Sequence, residues 1–457
     1  MIFGKIKELF FVGIGGSGMS GIAEILYNLG YKVSGSDMKE SEVTRRLEEM
    51  GVKISYGHNP DNIGTANVVV ISSAVVADNP EVIEAKNRGI AVIKRAEMLG
   101  ELMRLKFSLG IAGTHGKTTT TSMLGKILHD GGLDPTVIVG GIVAGKGTGA
   151  SLGSGDYMVA EADEYDKSFL KMFPSVAVVT NIEEDHLECY DGVEDLENSF
   201  VQYMNRVPFY GVVVYNADDP RLQKLSGKVV RPSVSYGFSD HADYRAVGFE
   251  MVEGGSRFNV FKHEEKLGEI ILHVPGKHNA SNALAAVAAA FELEIPFEKI
   301  ADSLLQFQGV GRRFEHKGTV NDIMIVDDFA HHPTEIKAAI ETGRTYKRRI
   351  IVIFQPHLFT RTQLFFKEFA EVLHEVHKVF VTDIQPAREK PIAGVHASMI
   401  SDYARARGYK NIEYLGEKEK AIDAVAKIAE PGDMLMTIGA GSVTVLGPKI
   451  LEKLKTV

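Results

Sequence analysis

One segment of the chain, residues 113–119, has the composition of a phosphate-binding loop. It lies between an apolar run at 107–112 and a stretch whose apolar residues recur at helical spacing. A glycine-rich turn between a strand and a helix exposes backbone N–H groups, and the helix N-terminus adds a favourable dipole, so such a turn binds phosphates. A lysine in the loop reaches the terminal phosphates, and the next hydroxyl binds Mg²⁺. The residues predicted to bind a nucleoside triphosphate are Gly113, Thr114, His115, Gly116, Lys117, Thr118 and Thr119.

The loop departs from the strict spacing of such motifs at its first glycine. That spacing requires glycine at position 111, where the chain has Ile111, and the nearest upstream glycine is Gly110. A chance Gly-Lys-Thr in a glycine-rich turn is the competing interpretation. The strand–turn–helix context favours the nucleotide site.

A second glycine-rich segment, Gly13–Gly18, satisfies the dinucleotide fingerprint, and Asp37 lies about 20 residues beyond it. Taken alone, the pattern predicts NAD. The fingerprint specifies only a pyrophosphate at a helix N-terminus, and an NAD enzyme has no need of a second phosphate cradle, so a UDP-sugar is the preferred ligand. The residues assigned to this site are Gly15, Gly16, Ser17, Gly18, Met19, Asp37, Ser72 and Ser73.

Acidic residues follow two apolar strands of the predicted nucleotide domain. Glu161 ends the first strand, and a run that closes on His186 follows the second. A carboxylate at a strand end suits Mg²⁺, and an imidazole there suits a second metal or a phosphate. A solvated loop is the alternative for each, but two such loops beside one phosphate loop favour function. The predicted metal ligands are Thr118, Glu161 and His186.

Further polar segments occur downstream. Asn279 and Asn282 can point to one side of an alanine-rich helix, although N-capping by Asn279 is the preferred interpretation from residue type. Arg312 and Arg313 either neutralise phosphate charge or form an exposed basic turn.

Three loops near the C-terminus also follow predicted strands: Asp327–Pro333, Gln355–Thr362 and Gly439–Ser442. The first combines two acids with two imidazoles but lacks the ligand spacing of a zinc site. In the second, Arg361 can bind a carboxylate. The third is either an anion nest or a simple turn.

Length and composition describe an ordinary globular protein. A chain of 457 residues predicts about three domains, and its hydrophobic fraction is 44%. A net charge of −9 without a dense basic run argues against nucleic-acid binding. The single cysteine, Cys189, cannot form an internal disulfide, and neither a membrane-spanning apolar run nor a signal peptide is recognisable. These features predict a cytoplasmic protein that does not bind membranes.

Predicted strands and helices alternate along the chain, so the fold class is α/β with parallel sheets. Residues 258–274 instead alternate like antiparallel hairpin strands. We expect three domains, at residues 1–100, 101–310 and 311–457.

The motifs, taken in order, resemble those of the Mur ligase family. They are Gly-Ile-Gly-Gly-Ser-Gly-Met-Ser-Gly-Ile-Ala (13–23), Gly-Thr-His-Gly-Lys-Thr-Thr-Thr (113–120), Glu-Ala-Asp-Glu (161–164), Thr-Asn-Ile-Glu-Glu-Asp-His (180–186), His-Asn-Ala-Ser-Asn (278–282), Gly-Arg-Arg-Phe-Glu (311–315) and Asp-Asp-Phe-Ala-His-His-Pro-Thr-Glu (327–335). The resemblance covers nearly the whole chain. It implies a Rossmann-like N-terminal domain for a UDP-sugar, a central P-loop ATPase-like domain with a mixed sheet, and a Rossmann-like C-terminal domain for an amino acid.

The resemblance also implies ATP-dependent amide formation with Mg²⁺, and its motifs indicate the branch that joins L-alanine to UDP-N-acetylmuramate. It assigns catalytic roles to Lys117, His186, His331, His332 and Arg361, and further ATP contacts to Asn279, Asn282, Arg313 and Asp328. Many relatives carry a basic residue where this chain has Leu358, so binding of the alanine carboxylate there depends on Arg361. We expect a monomer or a weak homodimer.

Three other functions remain open from the sequence. A ligase that adds a recycled murein tripeptide to UDP-N-acetylmuramate shares these motifs. The Gly13–Gly18 fingerprint alone fits a nicotinamide-dependent oxidoreductase. A non-catalytic P-loop switch is the third, and the strand-end acids and histidines argue against it.

Overall fold

The computed structural model describes residues 4–16, 18–72, 74–140, 149–252, 254–387 and 389–455. Ser17 and Ser73, both predicted to bind a UDP-sugar, lie outside these residues. The chain divides into two compact units, of which the second consists mainly of Gly309–Val457. Among the described residues, no helix has both the length and the apolar character that a bilayer crossing requires.

The first sheet of the first unit has five parallel strands in the order β3-β2-β1-β4-β5. Its strands are β1 (Glu8–Val12), β2 (Lys32–Asp37), β3 (Lys53–Tyr56), β4 (Val68–Ile71) and β5 (Ala91–Lys94). Its helices are α1 (Met19–Asn28), α2 (Glu42–Glu49), α3 (Pro80–Asn87) and α4 (Arg95–Met103), with a 3-10 helix at Pro60–Ile63. Because the strand order reverses between β1 and β4, the carboxyl ends of these strands form the edge at which such sheets bind ligands.

The second sheet is mixed and has ten strands in the order β15-β14-β13-β12-β11-β10-β6-β9-β7-β8. Its strands are β6 (Phe107–Ala112), β7 (Thr136–Ile138), β8 (Ala150–Ser151), β9 (Tyr157–Glu161), β10 (Val176–Val179), β11 (Val212–Asn216), β12 (Ser233–Gly237), β13 (Tyr244–Val252), β14 (Gly255–Lys262) and β15 (Glu265–Leu272). Strand β6 lies between β10 and β9 and is parallel to both. The loops that follow β9 and β10 therefore flank the loop that follows β6.

The helices that accompany this sheet are α5 (Lys117–Asp130), α6 (Val193–Met204), α7 (Pro220–Ser226), α8 (Lys277–Phe291) and α9 (Phe297–Leu305), with 3-10 helices at Tyr165–Lys171 and Leu187–Cys189. Strands β14 and β15 are neighbours joined by two residues, which requires an antiparallel hairpin. The hairpin expected within residues 258–274 is confirmed.

The second unit has a six-stranded sheet in the order β16-β17-β21-β18-β19-β20, parallel except for the antiparallel edge strand β16. Its strands are β16 (Glu315–Val320), β17 (Ile323–Asp328), β18 (Arg349–Phe354), β19 (Lys378–Thr382), β20 (Ile412–Gly416) and β21 (Asp433–Ile438). Its helices are α10 (Pro333–Arg344), α11 (Phe359–Leu373), α12 (Ser398–Ala406), α13 (Lys420–Ala426) and α14 (Leu446–Leu454), with a 3-10 helix at Ser442–Val445.

One hydrophobic cluster connects the two sheets of the first unit, since it includes Leu9 from β1 as well as Leu225 from α7. Glycines on α1 and α4 allow these helices to pack closely against segments of the second sheet's domain. A Cβ added to Gly21 of α1 would lie 2.7 Å from the Cβ of Ala150, and one added to Gly100 of α4 would overlap the carbonyl oxygen of Lys171. The predicted boundary after residue 100 falls inside α4, and the three predicted domain ranges stay predictions.

Candidate active site

The loop between β6 and α5 has the backbone geometry of an anion site. Gly113 and Gly116 have φ values of 131° and 83°, in the region that favours glycine. Gly116 caps α5, and the first intrahelical bond runs from the N–H of Thr120 to the carbonyl oxygen of Gly116 at 3.0 Å. The N–H groups of residues 117–119 precede that bond, so they have no intrahelical acceptor and can point at a bound phosphate.

Gly110 has a packing role instead. It lies within β6, and a Cβ there would overlap the hydroxyl of the buried Tyr203. The glycine found one place early is therefore part of the strand rather than of the phosphate loop.

The loop after β10 fixes the phosphate loop from one side. The side chain of Asn181 accepts a bond from the N–H of His115 at 2.8 Å and donates one to the His115 carbonyl oxygen at 3.1 Å. The Thr180 hydroxyl donates to the same carbonyl at 2.6 Å. The N–H of Thr114 also donates to the Asn181 carbonyl at 3.1 Å. The backbone N–H groups of Thr114 and His115 thus support the loop, and their predicted ATP contacts stay predictions.

Residues after β11 hold that loop in turn. Asn216 donates to the carbonyl oxygen of Thr180 at 2.9 Å, and Asp219 accepts the N–H of Ile182 at 3.1 Å while it caps α7. Burial raises the pKa of Asp219. The residues at the ends of β10 and β11 therefore position the phosphate loop that follows β6.

Lys117 carries the main positive charge of the site. Its ammonium contacts the carbonyl oxygens of Gly113 at 2.5 Å and Thr114 at 3.1 Å, and the carboxylate of Glu164 at 2.8 and 3.0 Å. Burial lowers the pKa of Lys117, but the neighbouring carboxylates of Glu164 and Asp163 outweigh it, so that pKa is raised and the ammonium keeps its charge.

Thr118 and Glu161 come together as predicted for metal ligands. The Thr118 hydroxyl and the N–H of Gly140 hydrogen-bond to the Glu161 carboxylate, whose pKa is raised by burial. A hydroxyl and a carboxylate are the oxygen donors that Mg²⁺ prefers, and a cation would compensate the buried charge, so these two residues fit the ion.

His186 lies on the loop after β10 with a φ of 56°. Its ring meets that of Tyr165 edge-on at 5.1 Å and lies 3.6–3.7 Å from the carboxylates of Asp185 and Glu188. Imidazole is a less suitable ligand for Mg²⁺ than oxygen, so a metal role for His186 stays a prediction.

The first glycine loop has a similar construction. Gly18 caps α1, which begins at Met19, and has a φ of 74°. The carboxylate of Asp37 accepts the N–H of Gly15 at 2.9 Å, so this acid holds the loop. A Cβ on Gly18 would lie 2.8 Å from a guanidinium nitrogen of Arg95, which places a cation at the N-terminus of α1. Sequence reasoning missed Arg95, although it directly follows strand β5.

The remaining residues assigned to this loop have local roles. Gly16 donates its N–H to the carbonyl oxygen of Gly13 at 3.0 Å. The Ser72 hydroxyl accepts the N–H of Ala74 at 3.3 Å at the end of β4. Their predicted contacts with a UDP-sugar stay predictions.

The asparagines of α8 are buried beside the phosphate loop. A Cβ on Gly116 would overlap the side-chain oxygen of Asn282, and the side-chain nitrogen of Asn282 donates to the side-chain oxygen of Asn279 at 3.5 Å. Because α8 begins at Lys277, Asn279 lies inside the first turn, so the preferred expectation that it caps the helix is wrong.

In the second unit, Asp328 ends β17 and accepts the N–H groups of Phe314 at 2.8 Å and Ala330 at 2.7 Å. Burial raises the pKa of Asp328 to about 6. Arg313 contacts Glu335 at 3.8 Å. Arg312 is bound to Asp327 at 3.0 Å, so it anchors the turn and is not a freely exposed cation.

His331 and His332 occupy different surroundings. The His331 ring lies 3.2 Å from a carboxylate oxygen of Glu335, and its centroid is 6.0 Å from that of His357. His332 is buried, caps α10 through the N–H of Thr334, and meets the Phe365 ring at 4.8 Å. Its packing indicates a structural role, whereas His331 presents its ring beside His357, a residue that sequence reasoning did not single out.

Arg361 lies in the first turn of α11 and is buried. Leu358 precedes that helix with a φ of 70°, which is rare for a leucine. Such backbone strain concentrates at functional sites, so it agrees with a ligand-binding role for this loop.

Family models cover almost the whole chain. The Mur ligase catalytic domain matches residues 8–107, the Mur ligase middle domain residues 111–290, and the Mur ligase glutamate ligase domain residues 312–441. The chain belongs to the Mur ligase family.

Mur ligases with curated names match along their whole length. UDP-N-acetylmuramate–L-alanine ligases of Geobacter sp. (strain M21) and Geotalea daltonii are 48% and 49% identical to this chain, each over 99% of both sequences.

Solved Mur ligase structures share the fold. The UDP-N-acetylmuramate-alanine ligase of Thermotoga maritima is 28% identical, with a TM-score of 0.83 over 99% of both chains. A murein peptide ligase of Psychrobacter arcticus is 25% identical, with a TM-score of 0.73 over 99% of both chains. The predicted three-domain α/β fold of the Mur ligases is confirmed.

Proposed function

We propose that this Mur ligase uses ATP to join L-alanine to the lactyl carboxylate of UDP-N-acetylmuramate, a cytoplasmic step in making peptidoglycan precursors. The observation that carries the proposal is the phosphate loop, in which the Lys117 ammonium is hydrogen-bonded to Glu164. This loop occurs in a chain that is 48–49% identical to curated UDP-N-acetylmuramate–L-alanine ligases. The carboxylate attacks the γ-phosphorus to give an acyl phosphate, and the bond from that phosphorus to the β–γ bridging oxygen breaks, so ADP leaves. The amine of alanine then attacks the acyl carbon, and phosphate leaves.

The described charges suit the first step. A carboxylate and a triphosphate repel each other, so the reaction needs positive charge between them. Lys117 and the N–H groups at the start of α5 supply it on the ATP side, and Arg95 supplies it near Gly18 on the sugar side. Mg²⁺ held by Thr118 and Glu161 would neutralise phosphate charge when bound. A second ion at His186 belongs to the same proposal.

We also propose roles for the remaining residues that the sequence assigns to the site. Asn279, Asn282, Arg313 and Asp328 contact ATP, and His331 with Arg361 faces alanine. We propose no membrane or nucleic-acid partner and a monomer or weak homodimer in the cytoplasm.

The alternatives are less well supported. The murein peptide ligase has the lower structural similarity of the two solved relatives, at a TM-score of 0.73 against 0.83. The carboxylate of Asp37, which a nicotinamide enzyme would use for a ribose, already bonds to the N–H groups of Gly15 and Met38.

One assay tests the proposal. ADP formation is measured with ATP and Mg²⁺, with and without UDP-N-acetylmuramate, and with L-alanine, L-serine, glycine or the murein tripeptide. We expect turnover that needs both UDP-N-acetylmuramate and L-alanine, and a loss of at least about 10²-fold in Lys117→Ala. Turnover with UDP-N-acetylmuramate and the tripeptide, but with none of the three amino acids, would assign the recycling ligase. ATP hydrolysis without UDP-N-acetylmuramate and without an amino acid would indicate a switch ATPase.

A further inference from the structure

Glu164 is a buried carboxylate that forms an ion pair with Lys117, the lysine that is proposed to contact the phosphates of ATP. Its side chain is 2% exposed, and its carboxylate contacts the ammonium of Lys117 at 2.8 and 3.0 Å. An ammonium has three protons, and in this structure they are shared among Glu164 and the carbonyl oxygens of Gly113 and Thr114. A phosphate contact with Lys117 therefore replaces one of these partners.

The partner that a phosphate displaces is Glu164. The two loop carbonyls belong to the cradle itself, whereas a carboxylate beside an incoming phosphate is repelled by it. Once Lys117 turns to the nucleotide, Glu164 is left as a buried charge without its cation, which is costly. The other charged groups that act on Glu164 are Asp163 and His186, and Asp163 adds to the negative charge. Nucleotide binding thus creates a site for a new cation.

The loop that carries Glu164 reaches both substrate sites. We call residues 162–166 the acidic loop. Its Asp163 lies 3.9 Å from the guanidinium of Arg95, which lies beside Gly18 at the first glycine loop. The next residue, Glu164, contacts Lys117 of the phosphate loop. The sugar carboxylate and the γ-phosphate have to meet between these two sites, so the acyl phosphate forms next to Glu164.

We propose that Glu164 receives the ammonium group of the amino-acid substrate and takes its proton, as the general base for amide formation. One proton moves from the ammonium to a carboxylate oxygen of Glu164. The freed nitrogen lone pair forms a bond to the acyl carbon. The bond from that carbon to the phosphate oxygen then breaks, its electron pair leaves with phosphate, and phosphate takes the second nitrogen proton. The proposal rests on the proposed ligase function.

Two local features support this role. Burial raises the pKa of Glu164, which makes its carboxylate a stronger base than an exposed one. The Tyr190 hydroxyl donates to the Glu164 carbonyl oxygen at 2.5 Å, so the backbone stays fixed while the side chain exchanges partners.

The test compares two acceptors in Glu164→Gln. Glutamine can still accept a bond from Lys117, but it cannot take a proton. Hydroxylamine is mostly unprotonated at neutral pH and captures an acyl phosphate without a base. We expect product formation with L-alanine to fall by about 10² or more, while hydroxamate formation with UDP-N-acetylmuramate, ATP and hydroxylamine stays within a few-fold of the wild type. Without that base only the unprotonated amine can react, so the residual rate of the variant with L-alanine should keep rising with pH toward the pKa of the free amino group, beyond the pH at which the wild-type rate levels off.

Asp166→Asn is the matched control, because Asp166 lies on the same loop in an exposed pair with Lys94 at 2.7 Å. It should keep the wild-type ratio between the two acceptors. Equal losses with both acceptors in Glu164→Gln would show that Glu164 only positions Lys117, and unchanged rates would also overturn the proposal. Failure of the wild type to form either product would refute the ligase function itself.

Discussion

Replacing Asn181 by alanine should weaken ATP binding more than its size suggests. The substitution removes two hydrogen bonds to the backbone of His115, at 2.8 and 3.1 Å, within a partly buried loop. At about 1 kcal/mol for each bond, the change costs about 2 kcal/mol. If these bonds hold the phosphate loop in its binding conformation, this cost corresponds to a roughly 30-fold weaker affinity for ATP.

Asn205, which follows the last residue of α6, provides a control that also makes two side-chain bonds to the backbone, here at an exposed position. Its side chain accepts the N–H of Val230 at 2.8 Å and donates to the carbonyl oxygen of Lys228 at 3.1 Å, so the bond lengths equal those of Asn181. Asn205→Ala should lower the melting temperature, by about 3 °C if the loss is 2 kcal/mol in a unit of roughly 300 residues, without changing ATP affinity.

Isothermal titration calorimetry with ATP and Mg²⁺, together with thermal unfolding of each variant, measures both effects. The reasoning fails if Asn181→Ala binds ATP as tightly as the wild type while its melting temperature falls. It also fails if both variants lose affinity equally, because the effect would then reflect general destabilisation rather than the geometry of the phosphate loop.

Two further predictions concern backbone geometry and pH. Gly116→Ala should abolish turnover, because the φ of 83° disfavours alanine and the new Cβ would meet Asn282. Gly132 is the control: its φ of 86° is similar but the space around it is open, so Gly132→Ala should lose only stability. Steady-state kinetics and melting temperatures of the two variants distinguish these effects. Desolvation of the His278 ring, aided by the charge of Arg313, lowers the pKa of His278 to about 4 from 6.5, although part of the residue is exposed. The unfolded chain therefore binds more protons between these values. Stability should fall from pH 7.5 to pH 5, and urea unfolding of His278→Gln should show a smaller decrease. Equal decreases in the two proteins would contradict this.

The sequence predicts the phosphate loop well because its signals are local. An apolar strand, two glycines and a helical pattern lie within a short stretch, and β6 and α5 form where that pattern places them. The acids after β9 and β10 also flank the loop as expected, since parallel neighbours bring their carboxyl ends to one edge.

Other features depend on contacts that no local pattern records. The role of Gly110 is set by Tyr203, which lies 93 positions later in the chain. The pairing of Lys117 with Glu164 joins residues 47 positions apart. Asn279 has the residue type of a helix cap, but the helix begins earlier and uses it as a buried polar side chain. Edge strand β16 was missed because it pairs antiparallel, outside the strand–helix rhythm.

The continuous hydrophobic cluster from Leu9 to Leu225 has a consequence for dissecting the protein. A fragment cut after the first hundred residues would expose the glycine faces of α1 and α4 to water, so it should be insoluble or only partly folded. The stretch from Gly309 to Val457 contains its own apolar interior on both faces of its sheet. That piece is the one suited to separate expression and to a spectroscopic test of the proposed amino-acid binding.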